Sequence, residues 1–498
     1  MRSRTGRWLG ALIALAFVSV ASPPSLISMQ APASPARWEE GAALADAPDV
    51  NPDPRIVEIT LEARVADVEI ATGQRVAAWT YNGGLPGPLI RVRVGDRLIV
   101  HFTNRLPAPT TVHWHGLRVP IQMDGVPGIS QPDVAPGGTF TYDFVVPDAG
   151  LYWYHPHVMS AAQVGFGLYG ALLVDDPAES FSTPIDEVVM VLSDIEIDER
   201  GRLEDPDSGG STGMAFGREG NHVLVNGRER PTLLARPGVA QRWRIVNAAK
   251  SRYFEIDPDG PRFTTIGGDG GLQAAPVDSS TLVIAPGERL DVLFIPPGAA
   301  GHELVIDWRL FNRGYGSVEA RIPLGPLFNM RLAGPAGALS GRPQAPSRPI
   351  EPLSRAGAAE TKIELTIAQT VKGEFEYGIN GIPFFKNKML HARPGETQIW
   401  HVVNSTAWSH PFHLHGFFFQ VLDESGQPVR PLAWKDTVNV PFKSALRIAV
   451  RFDEDRPGEW MFHCHVLDHA DGGLMGTVLV GNAQPGSTAT TQHVHPTP

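Results

Sequence analysis

One thirteen-residue pattern occurs three times in the chain and restricts the fold more than any other feature. The copies are VRVGDRLIVHFTN (92–104), ARPGVAQRWRIVN (235–247) and ARPGETQIWHVVN (392–404). Each copy places a turn glycine nine residues before an asparagine, with apolar residues at alternating positions between them. This alternation is typical of a half-buried β-strand. The copies begin 143 and 157 residues apart, which predicts three sandwich domains of about 150 residues each.

The rest of the chain also favours an all-β fold. Short β-rich runs such as RLIVHFTN (97–104) and RLDVLFIP (289–296) are separated by turns rich in the 52 glycines and 45 prolines. We therefore predict consecutive β-sandwich or barrel domains. Their expected bounds are 50–177, 183–340 and 361–482, with a Pro/Ala-rich linker at 341–360 and a flexible tail at 483–498.

The first 21 residues predict a cleaved signal peptide. Three arginines precede an apolar stretch from Trp8 to Ala21 that is too short to span a bilayer comfortably, although an uncleaved anchor is an alternative. No second segment reaches the roughly 20 apolar residues of a membrane helix. We expect a periplasmic or secreted protein without stable membrane insertion after cleavage. The net charge of −11 argues against a nucleic-acid partner.

A second repeat links only the outer domains. TVHWHGL (111–117) resembles PFHLHGF (411–417), and GLYWYHPHV (150–158) resembles GEWMFHCHV (458–466). The middle domain has neither segment. We therefore expect the middle domain to be a spacer or scaffold.

These segments contain histidine pairs separated by one residue. With 17 histidines in 498 positions, chance predicts roughly 0.6 such pairs, whereas five occur. The pair His493/His495 lies in the polar tail and is interpreted as incidental. The other four are His113/His115, His155/His157, His413/His415 and His463/His465.

The spacing of these pairs predicts metal binding. Residues i and i+2 of a strand project to the same face, so each pair directs two imidazoles one way. Two pairs per outer domain can meet across a domain interface and offer eight nitrogens. Such a set suits copper, zinc, iron or nickel, and no set of carboxylates accompanies it to favour a harder ion.

The only cysteine, Cys464, favours copper among these metals. It lies between His463 and His465, and on a strand its side chain points opposite to theirs, so its thiolate belongs to a different, nearby site. One thiolate with two imidazoles is the arrangement of blue copper, and His410 and His469 are available. The cysteine and its flanking histidines then form a short covalent path for electrons.

The four motifs HWHG, HPH, HPFHLHG and HCHVLDH occur in the order found in multicopper oxidases, and the chain resembles the laccase-like branch of that family over roughly residues 50–482. The resemblance implies three consecutive cupredoxin-like Greek-key domains and four coppers per chain. Domain 1 has Pro156 and Ala161 where domain 3 has Cys464 and His469, which implies a single type 1 copper. The implied ligands are His410, Cys464 and His469 for type 1; His113 and His413 for type 2; His115, His155 and His465 for one type 3 copper; and His157, His415 and His463 for the other.

The resemblance also implies a reaction. A small reducing substrate gives electrons one at a time at the type 1 copper, and four electrons reduce O₂ to two waters at the trinuclear cluster. Four protons must also arrive. Asp124 lies nine residues after His115, where similar bacterial oxidases place an acid near the type 2 copper. We expect Asp124 to relay protons, with a simple turn residue as the alternative.

Three positions near the cysteine depart from the family pattern or leave it open. Bacterial relatives often have Glu directly after the type 1 histidine, but Ala470 is here, so either Asp471 delivers protons or the route differs. Asp436 is a possible partner of a type 1 histidine, with a turn or strand-edge role as alternative. The axial position, ten residues after the cysteine, is Leu474, which has no donor atom and predicts a higher copper potential. A one-residue slip would bring in Met475 instead.

The substrate class is less constrained than the chemistry. The 10 methionines are scattered, which disfavours a cuprous oxidase, whereas the charge of −11 leaves a ferrous oxidase open. We expect a phenol or aromatic amine, with a metal ion as the alternative. A non-catalytic cell-envelope scaffold, a copper carrier and a two-domain nitrite reductase are disfavoured, because all eleven ligand positions are filled and a third repeat is present.

Overall fold

The predicted all-β class is confirmed by a computed structural model, which describes residues 42–181, 185–205, 210–314, 325–337, 349–369 and 375–482. These residues form strands arranged in six sheets, with only short helices between them. The predicted signal peptide, the tail at 483–498 and residues 341–348 of the predicted linker lie outside the described residues. The predicted domain bounds stay predictions.

The first sandwich consists of two four-stranded sheets that enclose an aromatic-rich core. Their strand orders are β2-β1-β4-β6 and β3-β8-β7-β5. The elements are β1 (Ile56–Ala71), β2 (Gln74–Tyr81), β3 (Gly87–Arg93), β4 (Arg97–Asn104), β5 (His113–His115), β6 (Thr139–Val145), β7 (Gly150–His155), α1 (Ser160–Gly165) and β8 (Gly170–Asp175), with a 3₁₀ turn at Ile121–Met123.

The middle sandwich packs a seven-stranded sheet, β11-β10-β9-β13-β18-β15-β16, on a five-stranded sheet, β12-β20-β19-β14-β17. Its elements are β9 (Asp186–Ile195), α2 (Gly210–Phe216), β10 (His222–Val225), β11 (Arg228–Glu229), β12 (Thr232–Ala235), β13 (Gln241–Asn247), β14 (Phe254–Asp257), β15 (Phe263–Gly268), β16 (Gly271–Ser279), β17 (Leu282–Ile284), β18 (Arg289–Phe294), β19 (Glu303–Arg309) and β20 (Gly325–Leu332).

The third sandwich pairs two five-stranded sheets, β22-β21-β24-β28-β26 and β23-β30-β29-β25-β27. Its elements are β21 (Ala359–Gln369), β22 (Phe375–Ile379), β23 (Leu390–Ala392), β24 (Thr397–Asn404), β25 (His410–Leu414), β26 (Phe419–Leu422), β27 (Thr437–Val440), β28 (Ser444–Arg451), β29 (Gly458–Cys464), α3 (Leu467–Asp471) and β30 (Met475–Val480), with a 3₁₀ turn at Phe384–Lys386.

The repeated sequence pattern forms the same central strand in each sandwich. Its copies contain β4, β13 and β24, and each of these strands pairs in parallel with the first strand of its sandwich, β1, β9 or β21. The turn glycine before each strand has a positive φ: 81° at Gly95, 68° at Gly238 and 80° at Gly395. Only glycine adopts this conformation without strain, which explains why the glycine recurs.

The asparagine that ends each copy is fully buried and joins the strand end to two other segments. Its side-chain oxygen accepts a hydrogen bond from the backbone N–H two residues later, and its side-chain nitrogen donates to a distant carbonyl. The distance from the side-chain oxygen to this backbone nitrogen is 2.9 Å for Asn104 and Leu106, 3.0 Å for Asn247 and Ala249, and 3.0 Å for Asn404 and Thr406. The distance from the side-chain nitrogen to the carbonyl oxygen is 2.8 Å for Asn104 and Val134, 3.0 Å for Asn247 and Ile284, and 3.0 Å for Asn404 and Val440.

Candidate metal centres

The histidine pairs lie on, or directly beyond the ends of, equivalent strands of the first and third sandwiches. In the first sandwich β5 pairs with β7, and His113 is directly opposite His155. In the third sandwich β25 pairs with β29, and His413 is directly opposite His463. Each sandwich therefore presents four imidazoles from two neighbouring strands, as the sequence repeat predicts.

The two sets of four meet between the sandwiches. The rings of His113 and His415 stack with centroids 4.0 Å apart, and those of His115 and His413 stack at 3.8 Å. All eight histidines are buried. Their nitrogens form groups whose members lie within 4.8 Å of one another, namely His113, His115 and His413; His115, His155 and His465; and His157, His415 and His463.

Backbone carbonyls orient four of these eight rings. The Nδ1 atom of each of four histidines lies within hydrogen-bond distance of a carbonyl oxygen, which places the proton on Nδ1 and leaves the Nε2 lone pair free. The partners are Asp124 for His113 (2.7 Å), Pro156 for His155 (2.9 Å), Asp436 for His413 (3.0 Å) and Cys464 for His463 (2.8 Å).

Unpartnered nitrogens at the centre fit bound metal ions. Among the described residues, the buried Nε2 atoms of His113, His155, His157 and His413 have no hydrogen-bond partner. Neither ring nitrogen of His465 has one. Buried polar atoms are nearly always paired, so this concentration of bare imidazole nitrogens is the signature of a metal-binding set. Neutral imidazoles of this kind suit copper.

His115 has the opposite orientation. Its Nε2 atom faces the hydroxyl of Thr437 at 3.2 Å, and its Nδ1 atom has no protein partner within the described chain. Burial lowers the pKa of His115, and the neighbouring imidazoles of His413 and His465 lower it further. Burial likewise lowers the pKa of His155, His157, His463 and His465. These side chains are therefore neutral, the protonation state that binds metals.

A second group lies on the other face of β29. The Cys464 sulfur is 3.3 Å from His410 Nδ1 and 3.7 Å from His469 Nδ1, and the two Nδ1 atoms are 3.1 Å apart. All three side chains are fully buried. The far nitrogen of His410 is 2.7 Å from the Thr406 hydroxyl. The alternation expected for a strand thus separates Cys464 from the imidazoles of His463 and His465.

The two residues proposed as axial neighbours of Cys464 point to different places. Leu474 is fully buried in the same apolar cluster as Cys464 and Phe412. Met475 begins β30 and packs in a separate cluster with Met461. This separation favours Leu474 as the axial neighbour, which stays a prediction.

The side chain of Asp124 contacts the larger group of histidines. Its Oδ2 atom accepts a hydrogen bond of 2.8 Å from His415 Nδ1, and its Oδ1 atom is 3.4 Å from His113 Nδ1. Burial alone would raise the pKa of this carboxyl, but His415 and His113 outweigh it and hold the pKa below its usual range. Asp124 thus contacts one histidine of each set of four, and its relay of protons stays a prediction.

The side chains of the neighbouring residues Ala470 and Asp471 point to different surroundings. The Asp471 carboxylate accepts a 2.8 Å hydrogen bond from the backbone N–H of Ala161 in α1, so it joins the third sandwich to the first. Ala470 packs with Val126 and Met461 in an apolar cluster. The position that often carries Glu in bacterial relatives is thus apolar here. Proton delivery by Asp471 stays a prediction that competes with this structural role.

The expectation that Asp436 contacts a type 1 histidine is wrong. The Asp436 carboxylate lies 3.4 Å from His115 Nε2 and 3.5 Å from His413 Nδ1, both in the larger group. The reason is that Asp436 directly precedes β27, and His413 is paired with Thr437 in that strand. The carboxylate also forms an ion pair with Arg289 of the middle sandwich. No sequence motif marked Arg289 or Thr437.

The Cys464 group is covered by residues that the sequence did not single out. His469 Nε2 is 3.3 Å from the Ala215 carbonyl in α2, and the Tyr377 ring stacks on His469 at 4.5 Å. The Tyr377 hydroxyl donates to the same carbonyl at 2.9 Å. Trp408 lies at the edge of this cover, 6.4 Å from His469 by ring centroids. Of these covering side chains, Tyr377 is buried and Trp408 is partly exposed.

In the part of the chain that the structure describes, no helix has the length and hydropathy needed to cross a bilayer.

Comparisons with known proteins agree with this arrangement. Three family models, each described as multicopper oxidase, match residues 62–179, 186–301 and 358–484. The multicopper oxidase MmcO of Mycobacterium tuberculosis is 32% identical over 468 residues, which cover 84% of this chain and 86% of that protein. The laccase of Bacillus subtilis is 28% identical over 465 residues, with 80% and 89% coverage.

The fold agrees with solved structures as well. The multicopper oxidase from Campylobacter jejuni, described as a metallo-oxidase, has a TM-score of 0.77 and 28% identity over 88% of this chain and 94% of that one. Three consecutive cupredoxin-like domains, the predicted fold class, are thereby confirmed. The three model matches together span most of the chain, and the histidine groups fit the four coppers of the family. The chain therefore belongs to the multicopper oxidases, copper-dependent oxidoreductases that use O₂ and a reducing substrate.

Proposed function

We propose that this oxidase takes electrons from an organic reductant at a type 1 copper held by His410, Cys464 and His469. The observation that carries the proposal is the position of Cys464, whose two chain neighbours belong to two different histidine groups. An electron that enters at the Cys464 group has a path of a few covalent bonds to His463 and to His465. This layout serves electron transfer and has no use in a protein that only stores a metal.

The remaining eight histidines are proposed as the ligands of the trinuclear cluster. His115, His155 and His465 hold one type 3 copper, and His157, His415 and His463 hold the other. Each set corresponds to one of the compact groups of ring nitrogens. His113 and His413 hold the type 2 copper, and their free Nε2 atoms support this role.

The bound coppers supply one-electron acceptance at the first site and electrons for O₂ reduction at the second. The protein orients the imidazoles through the carbonyls of Asp124 and Asp436 and excludes bulk water by burial. Asp124 is proposed to hold and release protons, because its carboxylate contacts two cluster histidines.

The surroundings of His469 support an aromatic reductant. Tyr377 and Trp408 lie over or beside His469, and the Trp408 ring is 5.1 Å from the Phe216 ring. The Tyr377 ring is buried, whereas Trp408 is partly exposed and offers a stacking surface to a phenol or an aromatic amine. The nearby acid Asp468 is neutralised by Lys250 at 2.8 Å, which leaves less negative charge to attract a metal ion.

Oxidation of a metal ion is the second candidate. One similar structure is described as a metallo-oxidase, whereas one similar sequence is named a laccase. The proposed site of action is the periplasm or the exterior of the cell, which the basic and apolar start of the sequence supports.

The test is steady-state oxidation by copper-loaded protein of a phenol, Fe(II) and Cu(I), with O₂ uptake and copper content measured in parallel. We expect about four coppers per chain, O₂ uptake and a dominant rate with the phenol. A dominant Fe(II) or Cu(I) rate would replace the proposed substrate class by a metal ion. Copper content of one or none without O₂ uptake would refute the oxidase itself. Cys464→Ser is the matched control, because it should lose the blue absorption and substrate oxidation while retaining the eight cluster histidines.

A further inference from the structure

The middle sandwich has no histidine pair, yet one of its side chains binds an aspartate that contacts the histidines of the larger group. Arg289 begins β18 and is fully buried. A guanidinium has five N–H donors. All five have acceptors here, namely the carbonyls of Leu151 (3.1 Å), Gly287 (3.0 Å) and Asp269 (3.0 Å), Asp436 Oδ1 (2.8 Å) and Asp436 Oδ2. The carbonyls come from the first and middle sandwiches and the carboxylate from the third.

The hydrogen bonds continue from Asp436 to the histidines. The Thr437 hydroxyl donates its only hydrogen to Asp436 Oδ1 at 2.8 Å. It must therefore act as the acceptor toward His115 Nε2 at 3.2 Å and His413 Nδ1 at 3.1 Å. Both histidines must carry their proton on the nitrogen that faces Thr437. The other nitrogen of each ring is then deprotonated and faces the cluster.

Small residues keep the space for this arrangement. Gly116, directly after His115, has a φ of 83°, and a Cβ atom there would collide with Arg289 Nη2 and lie 2.6 Å from Asp436 Oδ2. Gly287 has a φ of 84°, and a Cβ atom there would lie 2.8 Å from the His465 ring and 3.1 Å from the His115 ring. Larger residues at either position would push the guanidinium or the imidazoles apart.

The related aspartate of the first sandwich lacks such a partner. Asp124 and Asp436 each accept from a histidine of their own sandwich through the backbone carbonyl and approach a histidine of the other sandwich through the carboxylate. Within the described residues, the ion pairs of the Asp124 carboxylate involve histidines alone, whereas Asp436 is clamped by Arg289. Arg289 thus holds Asp436 in place, whereas within the described residues no arginine or lysine pairs with Asp124.

We propose that Arg289 is a positioning residue of the trinuclear site, which fixes Asp436 and Thr437 and thereby the ring orientation and tautomer of His115 and His413. This inference rests on the proposed function, in which His413 holds the type 2 copper and His115 a type 3 copper. The middle sandwich is then part of the copper machinery and more than a spacer.

The test compares Arg289→Lys with Arg242→Lys in the copper-loaded protein. Arg242 is also a buried arginine of the middle sandwich and pairs with Asp291, but its ion pairs involve no histidine. Lysine keeps the charge and cannot bridge both carboxylate oxygens. Loss of an outer hydrogen-bond partner of a metal-binding histidine weakens metal affinity by about 10- to 100-fold. We expect Arg289→Lys to shift the type 2 electron paramagnetic resonance signal and to release type 2 copper to a chelator at least about tenfold more readily.

The control separates positioning from general stability. Arg242→Lys should lower the melting temperature without a change in the type 2 signal, and both variants should keep the blue absorption. The proposal is overturned if Arg289→Lys keeps the wild-type signal and copper retention, or if Arg242→Lys changes them equally. Thr437→Val, which is nearly isosteric, should shift the same signal and decides the question if Arg289→Lys does not fold. Wild-type protein without a type 2 signal would refute the proposed function instead.

Discussion

The buried asparagines of the three sandwiches offer a quantitative test of the repeat, and Asn247→Ala is the most direct variant. Asn247 donates to the carbonyls of Arg252 at 2.7 Å and Ile284 at 3.0 Å, and it accepts from Ala249 N–H at 3.0 Å. Alanine removes all three bonds and leaves three backbone groups without their partner. An unsatisfied buried polar group costs about 1–3 kcal/mol. Because neighbouring losses are not additive, we expect a decrease of about 3–6 kcal/mol in the free energy of unfolding of the middle sandwich.

The effect is large enough to measure by heating. A loss of 1 kcal/mol lowers the melting temperature of a domain of about 150 residues by roughly 2–4 °C, so Asn247→Ala should lower the melting temperature of the middle sandwich by roughly 6–24 °C. Differential scanning calorimetry resolves the unfolding transitions and measures this shift.

Asn82→Gly is the matched control. Asn82 is exposed, accepts from Glu62 N–H at 2.7 Å and donates to the Thr60 carbonyl at 2.9 Å. Its φ of 53° suits glycine, so the substitution removes two bonds without strain. Water replaces the lost partners, and we expect a cost below about 1 kcal/mol. Equal shifts for Asn247→Ala and Asn82→Gly would refute the reasoning that the buried amide holds the repeat together.

Three further predictions concern the copper sites. Leu474→Met should lower the type 1 potential because a thioether is added as an axial ligand, whereas Met475→Leu should leave the potential unchanged. Redox titration of the blue absorption measures both variants. A shift for Met475→Leu alone would make Met475 the axial residue. Asp124→Asn should slow O₂ consumption by about 100-fold or more, while stopped-flow reduction of the blue copper keeps its wild-type rate. Asp471→Asn should slow O₂ consumption far less. A larger loss for Asp471→Asn than for Asp124→Asn would make Asp471 the proton donor. Removal of copper by a chelator should lower the melting temperature, because metal ions bind the folded protein; an unchanged melting temperature would show that the histidine groups hold no metal in the native state.

The repeats account for what the sequence could predict. Apolar alternation, the turn glycines and the final asparagines recur because each sandwich needs the same central strand, so the local pattern contains the fold class. The four histidine pairs come together in the structure because residues i and i+2 of a strand share a face, and Cys464, between two paired histidines, faces the separate group with His410 and His469.

The features that the sequence did not reveal depend on contacts between sandwiches. Arg289 lies in a segment without any motif, and it reaches Asp436 only because the middle and third sandwiches pack together. The expectation for Asp436 failed for the same reason, because the sequence does not show that its carboxylate lies beside His115 of the first sandwich. The cover over His469 comes from α2, more than 250 residues earlier in the chain, and no periodicity links such distant segments.

The stacking of His113 on His415 and of His115 on His413 has a consequence for biosynthesis. Half of the cluster is translated about 300 residues before the other half. The four imidazoles of the first sandwich are therefore synthesised before those of the third sandwich that complete the pocket. A prematurely terminated chain contains no complete pocket, and a chain whose outer sandwiches fail to dock contains two incomplete ones. Full copper content therefore reports that the whole polypeptide has been synthesised and that its outer sandwiches have docked correctly.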